Sequence, residues 1–480
     1  MTLPSAPYDP AAIEIGPVPP EKVSACVVCA FMAQAIERRT FFLFAESIGE
    51  SWFVDAMRHG GFCLRHGRHV LRHDGAVGLT IPYREMLRAW RARLGAPAGT
   101  GPDRFTGQGC PQCTTARWAE SHALWRLAEP VTRNATSTLG AEGPVCLPHL
   151  DRLLDAVSPW RVPVIATMID DRLRAIAESD LSHAVPAIAG EDLDRDIRQV
   201  PPADEPASTH AGEGRAAASD LLGLALDAGR CPVCESAHAA ARWPIDWLAN
   251  PPRPQDLRDL ARLCGRHMHD AARSPAAAAH AVHGSRTLWL AMLRALPSSD
   301  DIGPRGIRGR AASLRPRFAS PGRRQPAVNG AVEALRAPDR GLARQLTAAR
   351  TRRSAPCVAC EAAVTATART IALVGALLPS RPWLDRFERS DGLCLRHVEA
   401  AHNVLAGRPW ETISQVADAR AARLGWELDE AARLVSWSVR YEPAGPEADA
   451  WSRAIVFALG ENVQRGWPLG PDGDEVHPSA

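Results

Sequence analysis

Twelve cysteines and four of the sixteen histidines in this chain recur in one order, a CxxC pair followed by a CxxH pair. The first set is Cys26, Cys29, Cys63 and His66, and the second is Cys110, Cys113, Cys146 and His149. The third is Cys231, Cys234, Cys264 and His267, and the fourth Cys357, Cys360, Cys394 and His397. The gaps between the pairs are 33, 32, 29 and 33 residues, and no cysteine is left over. Thiolate and imidazole are ligands for borderline metal ions, and two xx-spaced pairs supply the four ligands of a tetrahedral shell. Each set is therefore expected to close on its own ion, giving four Cys3His sites.

A CxxC or CxxH at a helix start puts both side chains on one side, and the helix N-terminus favours the thiolate form. Four protein ligands leave no position for water or substrate, which points to a structural metal and away from hydrolysis. Zn2+ is the expected occupant, with iron–sulfur clusters as the rival, since Cys3His can also hold a cluster. Redox CxxC chemistry lacks its βαβ context, and haem attachment fails because Ala30, Thr114, Glu235 and Glu361 follow the CxxC pairs. Arg65, Arg266 and Arg396 precede three ligand histidines and could offset the net negative charge of three thiolates, although Pro148 stands there in the second set. His59, His69, His73, His269 and His402 do not recur and are expected to be solvated or locally hydrogen-bonded. No Walker loop, GxGxxG, nucleophile elbow or HExxH occurs, so enzymatic activity has no positive support.

The elements that position these ligands repeat with them. An apolar residue precedes each third cysteine: Phe62, Val145, Leu263 and Leu393. Gly61 and Gly392, and Trp52 and Trp383, also sit at matched offsets, the tryptophans as expected core residues beside the sites. Cys29–Ile48 and Ser51–His59 read as helices, the second stopped by Gly60–Gly61; a third begins at Cys63. Further helix starts are expected after Pro82, at Ser158–Trp160 and at Arg408–Trp410, where proline suits the first turn. Strand-like alternation is nearly absent. The fold class is all-α, an array of four short helical modules, each pinned by a Cys3His site, in two paired halves.

The 480 residues exceed one compact core, and the net charge of +2 gives no global field toward nucleic acid or an anionic membrane. One lysine among 56 basic residues reflects codon bias better than phosphate binding. The expected divisions are a disordered 1–20, module 1 at 21–98, module 2 at 104–183, and an acidic Pro/Ala linker at 184–216. Module 3 follows at 217–298, a basic Arg/Pro/Gly linker at 299–328, module 4 with an amphipathic closing helix at 329–464, and a disordered tail at 465–480. No secretory signal or membrane-spanning run is read, the apolar stretch Ile371–Leu378 being too short, so a cytoplasmic location with reduced thiols is expected.

Cys110–Pro111–Gln112–Cys113 and Cys231–Pro232–Val233–Cys234, with Gly61–Phe62–Cys63–Leu64–Arg65–His66 and Gly392–Leu393–Cys394–Leu395–Arg396–His397, carry a resemblance. The pattern CPxC then G[FL]CxxH resembles an uncharacterised bacterial domain family of unknown function. Pro144–Val145 and Arg262–Leu263 depart from it, and the resemblance implies no activity. The functional expectation is a zinc-binding scaffold or interaction protein with a protein partner. The alternatives are an iron–sulfur redox or sensor protein and a nucleic-acid-binding regulator using the basic linker.

Overall fold

The structure, a computed structural model, describes residues 26–44, 50–71, 78–94, 110–132, 144–157, 161–190, 215–249, 262–296, 357–434 and most of 439–460. The basic linker, both chain ends and His73 lie outside the described residues. Among these residues the chain forms α-helices and no strand. The first half contributes α1 (Val27–Phe42), α2 (Ser51–Arg58), α3 (Leu64–Leu71), α4 (Thr80–Leu94), α5 (Pro111–Thr132), α6 (Leu147–Ala156), α7 (Val162–Glu178) and α8 (Leu181–Ala189). The second contributes α9 (Arg215–Asp227), α10 (Pro232–Ala249), α11 (Gly265–Ala271), α12 (Pro275–Ala295) and α13 (Val358–Leu377). It continues with α14 (Arg381–Arg389), α15 (Leu395–Val404), α16 (Arg408–Leu434) and α17 (Ala450–Leu459).

The first cysteine of a pair starts its helix. Cys26, Cys146, Cys264, Cys357 and Cys394 are N-cap residues with extended backbone, which turns the second ligand, one helical turn on, toward the first. At α1 the Cys26 sulfur accepts from the Cys29 backbone N–H at 3.5 Å, the role a serine or aspartate oxygen plays at other helix starts.

In the first half α1 packs along α5, and in the second α10 packs along α13, the most extensive helix pair in the molecule. The helices that follow obey one scheme in both halves. α5 meets α6, which meets α7 and α8; α13 meets α15, which meets α16 and α17.

Two large hydrophobic cores form among the described residues, and neither belongs to one half; a third, small cluster of Phe31, Ala35 and Ala119 lies between α1 and α5. The larger combines Phe53, Leu64, Tyr83 and Leu87 from α2–α4 with Leu222, Ala237, Ile371, Leu424 and Phe457 from the second half. The smaller combines Leu127, Leu150, Ile165 and Leu173 from α5–α7 with Leu248, Ala278, Trp289 and Met292. Trp90 of α4 meets Phe457 of α17 edge-on at 6.5 Å between ring centroids. Around this seam, Arg84 and Arg88 both reach Asp429 at 3.0 Å and Arg91 reaches Asp418 at 2.7 Å. These half-exposed pairs contribute roughly 0–1 kcal/mol each, so apolar burial and not charge joins α4 to α16.

Three expectations need correction. The acidic linker does not begin at residue 184, because α8 runs to Ala189 and buries Ala184, Val185, Ala187 and Ile188. Its apolar residues recur at helical spacing, which the Pro and Ala content of the segment obscured. Secondly, α13 is long and apolar enough to cross a membrane by length and composition, contrary to the short run read from sequence. Its Ala359, Ala363, Ile371 and Val374 are buried in the larger core. Thirdly, Trp52 and Trp383 lie half-buried at the core's edge. Each has an arginine against its ring, Arg39 at 4.7 Å and Arg386 at 5.4 Å, and neither is a fully buried site wall.

Candidate metal centres

All sixteen ligand candidates gather into four groups, but the partners differ from the sequential sets. Cys26 and Cys29 meet Cys146 and His149, while Cys63 and His66 meet Cys110 and Cys113. Cys231 and Cys234 meet Cys394 and His397, while Cys264 and His267 meet Cys357 and Cys360. Within each half, every CxxC therefore closes with the CxxH of the other module. Geometry requires the exchange. The CxxC starts the long helix α1, and the helices α1 and α5 lie along each other, so the start of each is met by the short CxxH helix of its partner. The expectation that each module holds its own ion is thus overturned, while the four Cys3His compositions stand.

In every group the histidine turns Nδ1 toward the sulfurs. His149 Nδ1 lies 3.2, 3.5 and 3.1 Å from the sulfurs of Cys26, Cys29 and Cys146. His66 Nδ1 lies 3.2, 3.4 and 3.3 Å from those of Cys63, Cys110 and Cys113. For His397 the distances are 3.4, 3.4 and 3.2 Å, and for His267 they are 3.4, 3.2 and 3.6 Å. The four atoms of each group, all within 4.8 Å of one another, can close on one metal ion. Eleven of the twelve cysteines are buried, and Cys113 alone is half-buried.

The electrostatics of these pockets favour a cation. Burial pushes the Cys110, Cys146 and Cys394 thiols well above the ordinary thiol value. Burial pulls the His267 imidazole down, but the Cys264 and Cys357 sulfurs prevail and lift it to about 10. His149 is likewise raised, against its own burial, by Cys29, Cys26 and Glu120. A proton at Nδ1 and a metal ion compete for the same atom and the same field of sulfurs. Binding of an ion at neutral pH must expel protons from thiols and imidazole alike.

The surroundings of the sites distinguish them. His149 Nε2 donates to Glu120 Oε1 at 3.1 Å, and Arg152 holds the other carboxylate oxygen. This buried carboxylate fixes the ring orientation that leaves Nδ1 facing the sulfurs. Glu120→Ala should weaken retention at that one site by roughly 10–100-fold, read as earlier loss of one ion per chain in a chelator titration. Uniform loss from all four sites, or none, would show that Glu120 does not orient the ligand.

Two features were missed in the sequence. Gly190 and Gly460 end α8 and α17 at φ +84° and +85°, and each lies against ligand sulfurs: Cys29 and Cys146, and Cys234 and Cys394. His269 Nε2 donates to the Gly190 carbonyl at 2.9 Å, so this histidine ties α8 to α11 across the halves. The closing helix expected over 448–463 is α17, and it roofs the Cys231 site besides ending the module. The glycines follow apolar helices at both places, Ala184–Gly190 and Ala454–Gly460, but nothing in their spacing to the cysteines announces a contact. His59 bonds its own helix at Asp55, as expected for a local partner, whereas His69 reaches across to Glu37 of α1 at 3.1 Å. Of the three arginines, Arg65 acts on Cys113 as a nearby positive charge, and Arg266 lies nearly buried beside Asp270. No known protein family, curated protein or solved structure matches the chain.

Proposed function

We propose that the chain is a zinc-binding scaffold protein whose four Cys3His sites hold its helices together. The observation that carries this is the size of the ligand groups. An ion bonded to sulfur at about 2.3 Å and to nitrogen at about 2.0–2.1 Å in a tetrahedron separates sulfurs by roughly 3.7 Å and sulfur from nitrogen by roughly 3.5 Å. The sulfur pairs Cys29–Cys146, Cys234–Cys394 and Cys264–Cys360 stand 3.9, 3.8 and 3.9 Å apart, and Cys63–Cys113 3.5 Å. A cubane cluster needs its cysteine sulfurs spread around several irons, so these dimensions favour a single ion over iron–sulfur.

Closure of the shells supports a structural role over a catalytic one. The apolar cleft lined by Leu222, Leu226, Val374, Trp383 and Phe387 offers no group for acid–base or nucleophilic work. Exposed aromatics, Trp243 and Trp247 with rings 4.6 Å apart and Trp125 and Trp426, support the use of its surfaces by a protein partner. Free thiols suit a reducing compartment such as the cytoplasm. The resemblance to an uncharacterised bacterial cysteine-patterned family accords with this assignment and adds no activity.

Elemental analysis of anaerobically purified, full-length protein tests the proposal. The expected result is about four zinc ions per chain, the number of closed ligand groups, and a colourless solution. A brown solution containing iron and acid-labile sulfide overturns it in favour of the cluster.

A further inference from the structure

The four ligand groups are not equally shielded. In the Cys63 group, Cys110 is fully buried and Cys63 nearly so, at 0 and 4 % exposure, but Cys113 is only half-buried. The next most exposed ligand cysteines, taken as whole residues, are Cys264, Cys357 and Cys360 at 9, 8 and 7 %. The Cys113 sulfur also stands 3.5 Å from that of Cys63, against 3.8–3.9 Å for Cys29–Cys146, Cys234–Cys394 and Cys264–Cys360. Arg65, half-buried and on the same short helix as His66, supplies positive charge near the Cys113 sulfur.

We infer that the Cys63–His66–Cys110–Cys113 site is a modification site for small peroxides, with Cys113 the sulfur oxidised first and Cys63 the sulfur that resolves it. The inference rests on the metal assignment above, since a coordinating cysteine is already a thiolate, the nucleophilic form. The Cys113 thiolate attacks one oxygen of the peroxide; the O–O bond breaks, hydroxide (or alkoxide) leaves, and Cys113 becomes a sulfenic acid. The Cys63 thiolate then attacks the Cys113 sulfur, the S–S bond forms and a second hydroxide leaves. Two electrons pass from the two sulfurs to the peroxide. The ion, reduced to Cys110 and His66, is released.

The structural consequence lies at the seam between halves. Cys63 immediately precedes α3, which carries His66, and α17 of the second half packs against α3. Release at this site loosens the surface on which α17 rests, and α17 ends at the Gly460 roof of the Cys231 site. The Cys63 site is thereby the place where an oxidant addresses the joint between halves.

The test uses the full chain, whose metal content is measured first. Hydrogen peroxide is added in substoichiometric steps, released ion is read with a chelating dye, and disulfides are mapped by mass spectrometry without reduction. The expected result is release of one ion per chain together with a Cys63–Cys113 disulfide, the ten other thiols remaining free. Parallel release from several sites, or a first disulfide among Cys264, Cys357 and Cys360, overturns the proposal. A chain purified without metal sinks the metal assignment alone. On such a chain, limiting maleimide under native conditions still decides accessibility: first labelling at Cys113 supports the site, and first labelling elsewhere overturns it.

Discussion

Cys63→Ser in the full chain will release the ion shared with Cys110 and Cys113 and will loosen α3 together with the start of α5. Its effect will not be confined to residues 21–98, because Cys63 closes its shell with two sulfurs from the next module. Cys26 and Cys29, in the same stretch of sequence, will keep their ion, since their partners are Cys146 and His149. A structural zinc site contributes an apparent ~10–16 kcal/mol in peptide systems, so even a third of it rivals the ~5–15 kcal/mol stability of a whole domain. Native mass spectrometry should count one ion fewer than in the parent. Amide exchange should rise in peptides from α3 and the first turns of α5 while the first turn of α1 stays protected. Exchange that rises at the start of α1 and spares α5 would restore the pairing of each CxxC with its own CxxH and refute the crossed arrangement.

That crossed arrangement marks the limit of what the sequence displayed. Ligand identity was legible because sulfur and imidazole in xx-spaced pairs have few other uses; helix starts were legible from the same pairs, and the stop of α2 from Gly60–Gly61. Which pair meets which was not. The gap of about thirty residues between Cys29 and Cys63 is nearly the same as the distance in sequence that returns any helical hairpin on itself, so spacing alone suggests the nearest partner. The deciding fact is the lengthwise packing of α1 on α5 and of α10 on α13, and that depends on apolar faces too broad to fix a partner. The cores were hidden for the same reason. The Cys3His groups join α1–α4 to α5–α8, and α10–α12 to α13–α17. Burial joins α4 to α16 and α17, and α7 and α8 to α12. The four modules thus close into a ring in which two joints combine a Cys3His group pair with apolar helix packing and the other two rest on apolar packing alone. No single module completes a site, and neither half owns either of the two large cores.

The roofs over the Cys26 and Cys231 sites give a sharper test, because two glycines of nearly equal backbone strain differ in the room above them. With φ +85°, ψ +161° at Gly460 and φ +84°, ψ +171° at Gly190, alanine at either position enters a region essentially reserved for glycine, at a cost of roughly 1–3 kcal/mol. A Cβ at Gly190 would stand 3.5 Å from the Cys29 sulfur and 3.8 Å from that of Cys146, ordinary contact distances. At Gly460 it would stand 2.8 Å from the Cys234 sulfur and 3.2 Å from that of Cys394, closer than atoms settle. Neither sulfur can yield, since a metal ligand tolerates only about 0.2 Å of displacement before its bond weakens. α17 must therefore lift, and it is held on its other side by α3 and α4. Gly190→Ala should lower stability by the strain term alone and keep every ion. Gly460→Ala should cost ~3 kcal/mol or more, adding overpacking of ~1–3 kcal/mol to the same strain, and should lose the Cys231-site ion first. Thermal melting alongside ion counts by native mass spectrometry separates the two variants. Equal melting shifts with full metal content in both would mean that α17 yields freely and that Gly460 roofs nothing.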